Sequence, residues 1–238
     1  MKLIAYLCNG YPTLEDSAKM AHTYVESGVD TIEIDFPSRN PFLESELISG
    51  RMAKALEACD DYDRYMEEMA EVKRSLPDTE FILMVYENVV EEIGVEKFVK
   101  FCLDNGYLDI ILVGLKDDTI KNQVIDAGLR VSCYVQFHLP EDEVAYALAS
   151  NGFTYLQAVP AEGQATPEHP TLKSCIDYLR ERGLENPIYC GVGVHTPEVA
   201  AQVKEAGADG AFIGSTILKL QEDPEALAAK IAEFKASC

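Results

Sequence analysis

The chain has 238 residues, 47% of them hydrophobic, enough to bury a large core and close to the roughly 250 residues typical of one α/β barrel. Lys and Arg number 20 against 41 Asp and Glu, and the formal charge of −21 repels nucleic acid and anionic membrane, which sets both aside as partners. A phosphorylated small molecule is not excluded, because backbone N–H groups at a helix N-terminus hold phosphate without a basic side chain.

In chain order, the opening MKLIAYLCNGYP carries an apolar run too short for a signal-peptide core and reads as a strand over Leu3–Cys8. A helix is predicted from near Thr13, where Thr13-Leu14-Glu15-Asp16 offers a capping hydroxyl. The apolar, β-branched run Thr31–Phe36 is the second strand. From Glu44 to about Ser75 the pattern is helical but is interrupted by Asp60-Asp61-Tyr62-Asp63-Arg64, which predicts two helical pieces. Strands at Phe81–Tyr86, Asp109–Val113, Val131–Gln136, Tyr155–Val159, Ile188–Cys190 and Gly210–Ile213 then alternate with helices beginning near Glu91, Asp117, Glu141, His169, Thr196 and Asp223. Thr196-Pro197-Glu198 places a capping hydroxyl before proline at the first helical position.

Glycine follows the helical pattern at Gly28, Gly106, Gly128, Gly152, Gly183 and Gly207, as expected for left-handed termination ahead of a strand. Eight strand–helix units with these stops predict an α/β protein, a (β/α)8 TIM barrel in a single domain over residues 1–238. No Ser/Gly-rich or Pro-rich linker suggests a boundary. No stretch approaches the roughly 18 uncharged apolar residues of a membrane helix. Seven cysteines, without a C-x-x-C pair, read as free thiols of a cytoplasmic protein.

Barrel sites are lined by residues at the C-terminal ends of the strands, which selects Glu33, Tyr86, Tyr155, Gly191, Gly193, Gly214 and Ser215. Cys190-Gly191-Val192-Gly193-Val194-His195 follows the seventh strand. Ile213-Gly214-Ser215-Thr216 follows the eighth and opens a short helical turn. That pair of loops is the usual phosphate site of a barrel, and the alternative is that the glycines only make tight turns. Glu33 shares one face of its strand with Thr31 and Asp35. It is either a proton-transfer group with a raised pKa or a structural carboxylate bonded to a neighbouring strand. Glu44 is either catalytic or a first-turn acid favoured by the helix dipole. Tyrosines on strands, Tyr6, Tyr86, Tyr134 and Tyr155, are more often core than ligand contacts. The dispersed histidines give no metal spacing, so neither metal nor cofactor is expected. The irregular segment of residues 161–170 reads as a lid.

Asp30-Thr31-Ile32-Glu33-Ile34-Asp35-Phe36-Pro37 with Asn40-Pro41 is similar to D-x-x-E-L-G-x-P-F-S-D-P. Leu83-Met84-Val85-Tyr86-Glu87-Asn88 is similar to L-M-x-Y-x-N, and Gly152-Phe153-Thr154-Tyr155-Leu156 to G-x-x-Y-x. With Gly191-Val192-Gly193 and Gly214-Ser215, these make the chain resemble the tryptophan synthase α subunit family along most of its length. The resemblance implies a lyase that cleaves indole-3-glycerol phosphate to indole and glyceraldehyde 3-phosphate, and a possible β subunit as partner. It makes Glu33 the general acid/base, puts Glu44 where the family's Asp meets the indole N–H, and assigns Tyr155 to the active site. Gly191, Gly193, Gly214 and Ser215 fall on phosphate-loop positions.

The chain departs from the family in three loops. A-D-G-P has become Leu43-Glu44-Ser45-Glu46, the R-A-G-V-T-G of the sixth loop has become Val159-Pro160-Ala161-Glu162-Gly163-Gln164, and Leu112-Val113-Gly114-Leu115-Lys116 lacks the family's aspartate. A non-catalytic phosphate-binding barrel or regulatory subunit is the competing reading, and an epimerase or isomerase on the same scaffold a third.

Overall fold

The computed structural model describes residues 1–114 and 117–238. The elements run β1 (Lys2–Leu7), α1 (Leu14–Glu26), β2 (Thr31–Asp35), α2 (Glu46–Ala58), α3 (Tyr62–Ser75), β3 (Glu80–Tyr86), α4 (Glu87–Ile93), α5 (Val95–Asn105), β4 (Asp109–Val113) and α6 (Thr119–Asp126). They continue with β5 (Arg130–Val131), β6 (Cys133–Val135), α7 (Glu141–Ala149), β7 (Thr154–Gln157), α8 (Leu172–Glu181), β8 (Ile188–Gly191), α9 (Pro197–Glu205), β9 (Gly210–Ile213), α10 (Ser215–Leu218) and α11 (Pro224–Ser237).

All strand pairs are parallel, in the order β5-β4-β3-β2-β1-β9-β8-β7-β6. The two ends of that order, β5 and β6, are consecutive in the chain and separated only by Ser132, so the ribbon comes round to an eight-stave barrel. The single strand expected over Val131–Gln136 is thus two short ones. The break is a change of partner: Ser132 N–H donates to the Ile110 carbonyl at 2.9 Å on one side, and Cys133 N–H donates to the Phe153 carbonyl at 3.1 Å on the other.

Local chemistry accounts for the helix boundaries. Thr13 and Thr196 accept from the N–H groups of Asp16 and Val199, and Pro197 occupies the first turn of α9. The region from Glu44 to Ser75 is two helices, but α2 starts at Glu46 with Ser45 as its cap, two residues beyond the expected start. The helix expected from Glu91 starts at Glu87 and is divided into α4 and α5 by Gly94, whose φ is +92°. Five of the six glycine stops have positive φ; Gly152 does not. A Cβ on Gly152 would come within 2.5 Å of the Val131 carbonyl oxygen, so close backbone approach, not left-handed termination, requires glycine there.

Strand alternation divides the core in two. Ile32 and Ile34 of β2 join the large shell between barrel and helices, whereas Ile4, Ile82, Phe153, Tyr189 and Phe212 form a separate cluster inside the barrel. Phe153 and Tyr189 pack at a 4.9 Å centroid distance within it. This plug fills the barrel interior beneath the C-terminal mouth, where barrel sites form. At the opposite end a cavity of about 410 Å³ contains the Lys2–Glu80 and Arg130–Asp109 ion pairs, at 2.5 and 2.6 Å. Four of its charges pair in this way and Lys73 donates to the Thr79 carbonyl, as suits the stabilising face of a barrel.

Candidate active site

Strand β2 presents Thr31, Glu33 and Asp35 to the barrel interior, all buried. Glu33 retains 8% exposure, and among the described residues no donor hydrogen-bonds its carboxyl. Burial, reinforced by the carboxylates of Glu44 and Asp35, pushes its pKa up to about 8. The alternative of a structural carboxylate bonded to a neighbouring strand is therefore not realised among the described residues, and burial favours the protonated form of Glu33.

Glu44 lies outside α2, and this removes the first-turn reading of its charge. The Pro41 carbonyl accepts from Glu44 N–H at 3.2 Å, closing a turn that folds the side chain back over the mouth. There its carboxylate accepts from the Tyr86 hydroxyl at 3.1 Å. Burial raises the Glu44 pKa against that hydrogen bond. Tyr86 closes the end of β3 and packs edge-on against Phe42 at 5.3 Å, so the turn and the strand end hold one another.

Tyr155 stacks on Phe212 at 4.4 Å and meets Tyr134 edge-on at 5.7 Å. Burial, then the negative charge of Glu33, holds its hydroxyl well above the usual tyrosine range, so the hydroxyl stays neutral. Its ring lies against Gly191, where a Cβ would come within 2.2 Å of ring and hydroxyl atoms. Gly191 is accordingly glycine to admit Tyr155.

Gly193 has φ +99°, and a Cβ there would meet Val159 at 2.6 Å. Val192 before it also has positive φ, +59°, a conformation that strains a β-branched residue and concentrates at functional loops. Gly214 differs, because its added Cβ would meet only the Tyr6 Cβ at 3.8 Å, and the space above it is open. Among the described residues the N–H groups of Gly193, Gly214 and Ser215 find no acceptor. Thr216 donates its hydroxyl to the His195 carbonyl at 3.1 Å, pinning the loops after β8 and β9 together. The structure thus brings Glu33, Glu44, Tyr86 and Tyr155 into one cluster and sets the two glycine loops side by side.

Two groups at the mouth escaped sequence reasoning. Asp35 accepts from the Tyr6 hydroxyl and from Asn9 N–H, both at 2.6 Å; its pKa is nonetheless pushed up to about 7 by burial, against those hydrogen bonds. Strand alternation had placed it beside Glu33, and only its donors were hidden. The second is an amide cluster: Gln157 donates to Gln164 at 2.8 Å, and Gln164 donates to Gln136 at 3.3 Å. It ties residues 161–170 to the ends of the strand staves. Of the segment Leu112-Val113-Gly114-Leu115-Lys116, Leu115 and Lys116 lie outside the described residues.

The family model described as "Tryptophan synthase alpha chain" matches residues 1–238. A tryptophan synthase alpha chain of Cyanothece sp. is 29% identical over 239 residues, covering 98% of this chain and 89% of the relative. One of Methanosarcina barkeri is 29% identical over 225 residues, covering 93% and 84%. The structure of tryptophan synthase from M. tuberculosis in its aminoacrylate-bound form superposes with a TM-score of 0.82 at 25% identity, covering 99% of this chain and 92% of that one. With its closed parallel barrel, its carboxyls gathered at the mouth and a match along its whole length, the chain belongs to the tryptophan synthase alpha chain family.

Proposed function

We propose that the chain is a carbon–carbon lyase that cleaves indole-3-glycerol phosphate, or a related phosphorylated substrate, to indole and glyceraldehyde 3-phosphate. The observation that carries this reading is Glu33, a buried carboxyl at the barrel mouth to which no described residue donates and whose pKa burial pushes up to about 8. It delivers its proton to the ring carbon as the carbon–carbon bond breaks and the bonding electrons stay with the ring. The resulting carboxylate takes the hydroxyl proton of the departing three-carbon fragment, which leaves as the aldehyde, and Glu33 returns to its resting state.

Glu44, oriented by Tyr86, accepts the indole N–H. Tyr155 bounds the pocket beside Glu33. The free N–H groups of Gly193, Gly214 and Ser215 receive the phosphate, whose anchoring fixes the reacting carbon against Glu33. Gly191 supports this indirectly, through the Tyr155 ring that packs on it. We place the protein in the cytoplasm, and assign a tryptophan synthase β subunit as its partner on the strength of the family. No described helix is long and apolar enough to cross a membrane.

The test is release of indole from added indole-3-glycerol phosphate, with and without a β subunit. Release establishes the lyase. Saturable binding without release would instead make the chain a phosphate-binding or regulatory barrel.

A further inference from the structure

Asp35 is a buried carboxyl that the cleavage chemistry leaves unused. It lies two residues beyond Glu33 on the same face of β2, about 7 Å along the strand, with no exposed surface. Both its oxygens are occupied, Oδ2 by the Tyr6 hydroxyl and Oδ1 by Asn9 N–H, each at 2.6 Å. Tyr6 is itself the register partner of Glu33 across the β1–β2 pair. Asp35 is therefore a clamped carboxyl that cannot swing to substrate.

Among the described residues the groups facing it offer no cation. They are Tyr6 and Cys8 at the end of β1, Glu33 on its own strand, Glu44 from the following turn, Tyr86 of β3, and Tyr62 and Tyr65 of α3. Arg51 of α2 acts on Cys8, but its guanidinium is engaged by the Leu218 carbonyl and the Gln221 side chain.

We infer that Asp35 is a positioning residue: clamped by Tyr6 and Asn9 N–H, its carboxylate holds Glu33 in the proton-carrying form, and the two act as one coupled acid pair. This rests on the reading of Glu33 as proton donor. A fixed like charge on the same buried strand face disfavours a second ionisation, so the pair releases its protons in two separated steps, Asp35 before Glu33.

The experiment is a carboxyl ¹³C NMR titration of the full chain labelled at Asp and Glu, the Glu33 resonance being identified by its loss in Glu33→Gln. In Asp35→Asn the Glu33 midpoint should fall by about one pH unit, and the alkaline limb of kcat/KM for indole release should fall with it. An unchanged Glu33 midpoint overturns the inference. The titration needs no turnover, so that outcome stands apart from a failure of the lyase reading, which would show as no indole at all. Tyr6→Phe keeps the carboxyl and removes one donor, and covers the case in which Asp35→Asn does not fold. There the Asp35 midpoint should rise by about one pH unit; midpoints that stay in place for both carboxyls refute the clamp. A merely structural Asp35 would lower the melting temperature of both variants and leave the Glu33 midpoint in place.

Discussion

Replacing Glu33 with Gln should abolish most turnover while making the protein more stable at alkaline pH. The carboxyl is held from an ordinary 4.5 up to about 8, so the folded state favours its neutral form and the unfolded chain does not. The stability this group contributes is complete below pH 4.5 and is lost as pH rises through 8. At 1.36 kcal/mol per pH unit, the loss is about 1 kcal/mol at pH 5, about 3 at pH 7 and nearly 5, on the order of the full effect, at pH 9. Gln has the same shape and does not titrate, so the variant escapes this loss. The gap in melting temperature between variant and wild type should therefore widen in the variant's favour by about 8 to 16 °C between pH 5 and pH 9, at roughly 2 to 4 °C per kcal/mol for a chain of this size. Scanning calorimetry at several pH values measures it. Turnover should fall by about 10² to 10⁴-fold, the usual share of a general acid/base. A variant destabilised equally at pH 5 and pH 9 would refute the reasoning, because it would show that Glu33 is ionised and satisfied in the folded state.

The other expectations concern the surrounding loops. Gly214→Ala should weaken binding of a phosphate ester, measured by calorimetry, without lowering the melting temperature, because the new methyl meets only Tyr6 at 3.8 Å and enters the space proposed for the ligand; unchanged affinity removes the anion site from this loop. Gly193→Ala should by contrast destabilise by about 1 kcal/mol or more, through its φ of +99° and its contact with Val159. Tyr86→Phe deletes the hydroxyl that orients Glu44, and should lower kcat/KM for indole release by about 10-fold, as for a hydrogen bond to a charged group; a change below twofold would show that Glu44 does not depend on Tyr86. Proteolytic nicking near Gly163 should slow when substrate is bound, as the loop closes over it, and Gln164→Ala, which cuts its tether to Gln136 and Gln157, should speed nicking in the free protein. Equal rates throughout would make residues 161–170 a plain connector.

The barrel was legible because its signals are local. A capping hydroxyl, a glycine stop and a β-branched run each act within a few residues, and their repetition leaves little choice of topology. What was hidden depends on distant partners. The stave at residues 130–135 breaks at Ser132 because its neighbours on the two sides differ, and no pattern within VSCYVQ reports that. Glu44 seemed to belong to a helix because its neighbours are helix-compatible; its actual partner, Tyr86, is 42 residues away. Gly191 stands in a phosphate-loop motif, but the Tyr155 ring that also needs its bare backbone comes from another strand. Asp35 was placed on the right face by alternation, but the Tyr6 hydroxyl that fixes it lies 29 residues upstream. The sequence therefore exposed which residues reach the mouth and concealed which of them hold one another.

That mutual holding bears on how a protein with a net charge of −21 can take a phosphate ester at all. Ionised carboxylates at the mouth would repel a dianion strongly, the more so because barrel walls of low polarity screen poorly. Here the three nearest carboxyls, Glu33, Asp35 and Glu44, are each shifted toward their neutral forms by burial, so the mouth is less negative than its composition suggests. No basic side chain is then needed beside the phosphate, and backbone N–H groups, which bring no counter-charge to be neutralised elsewhere, suffice as donors. The burial that makes Glu33 a proton donor thus also lowers the repulsion the substrate meets. The two requirements, a protonated acid and an admissible anion, are favoured by one structural cause, the burial of these carboxyls.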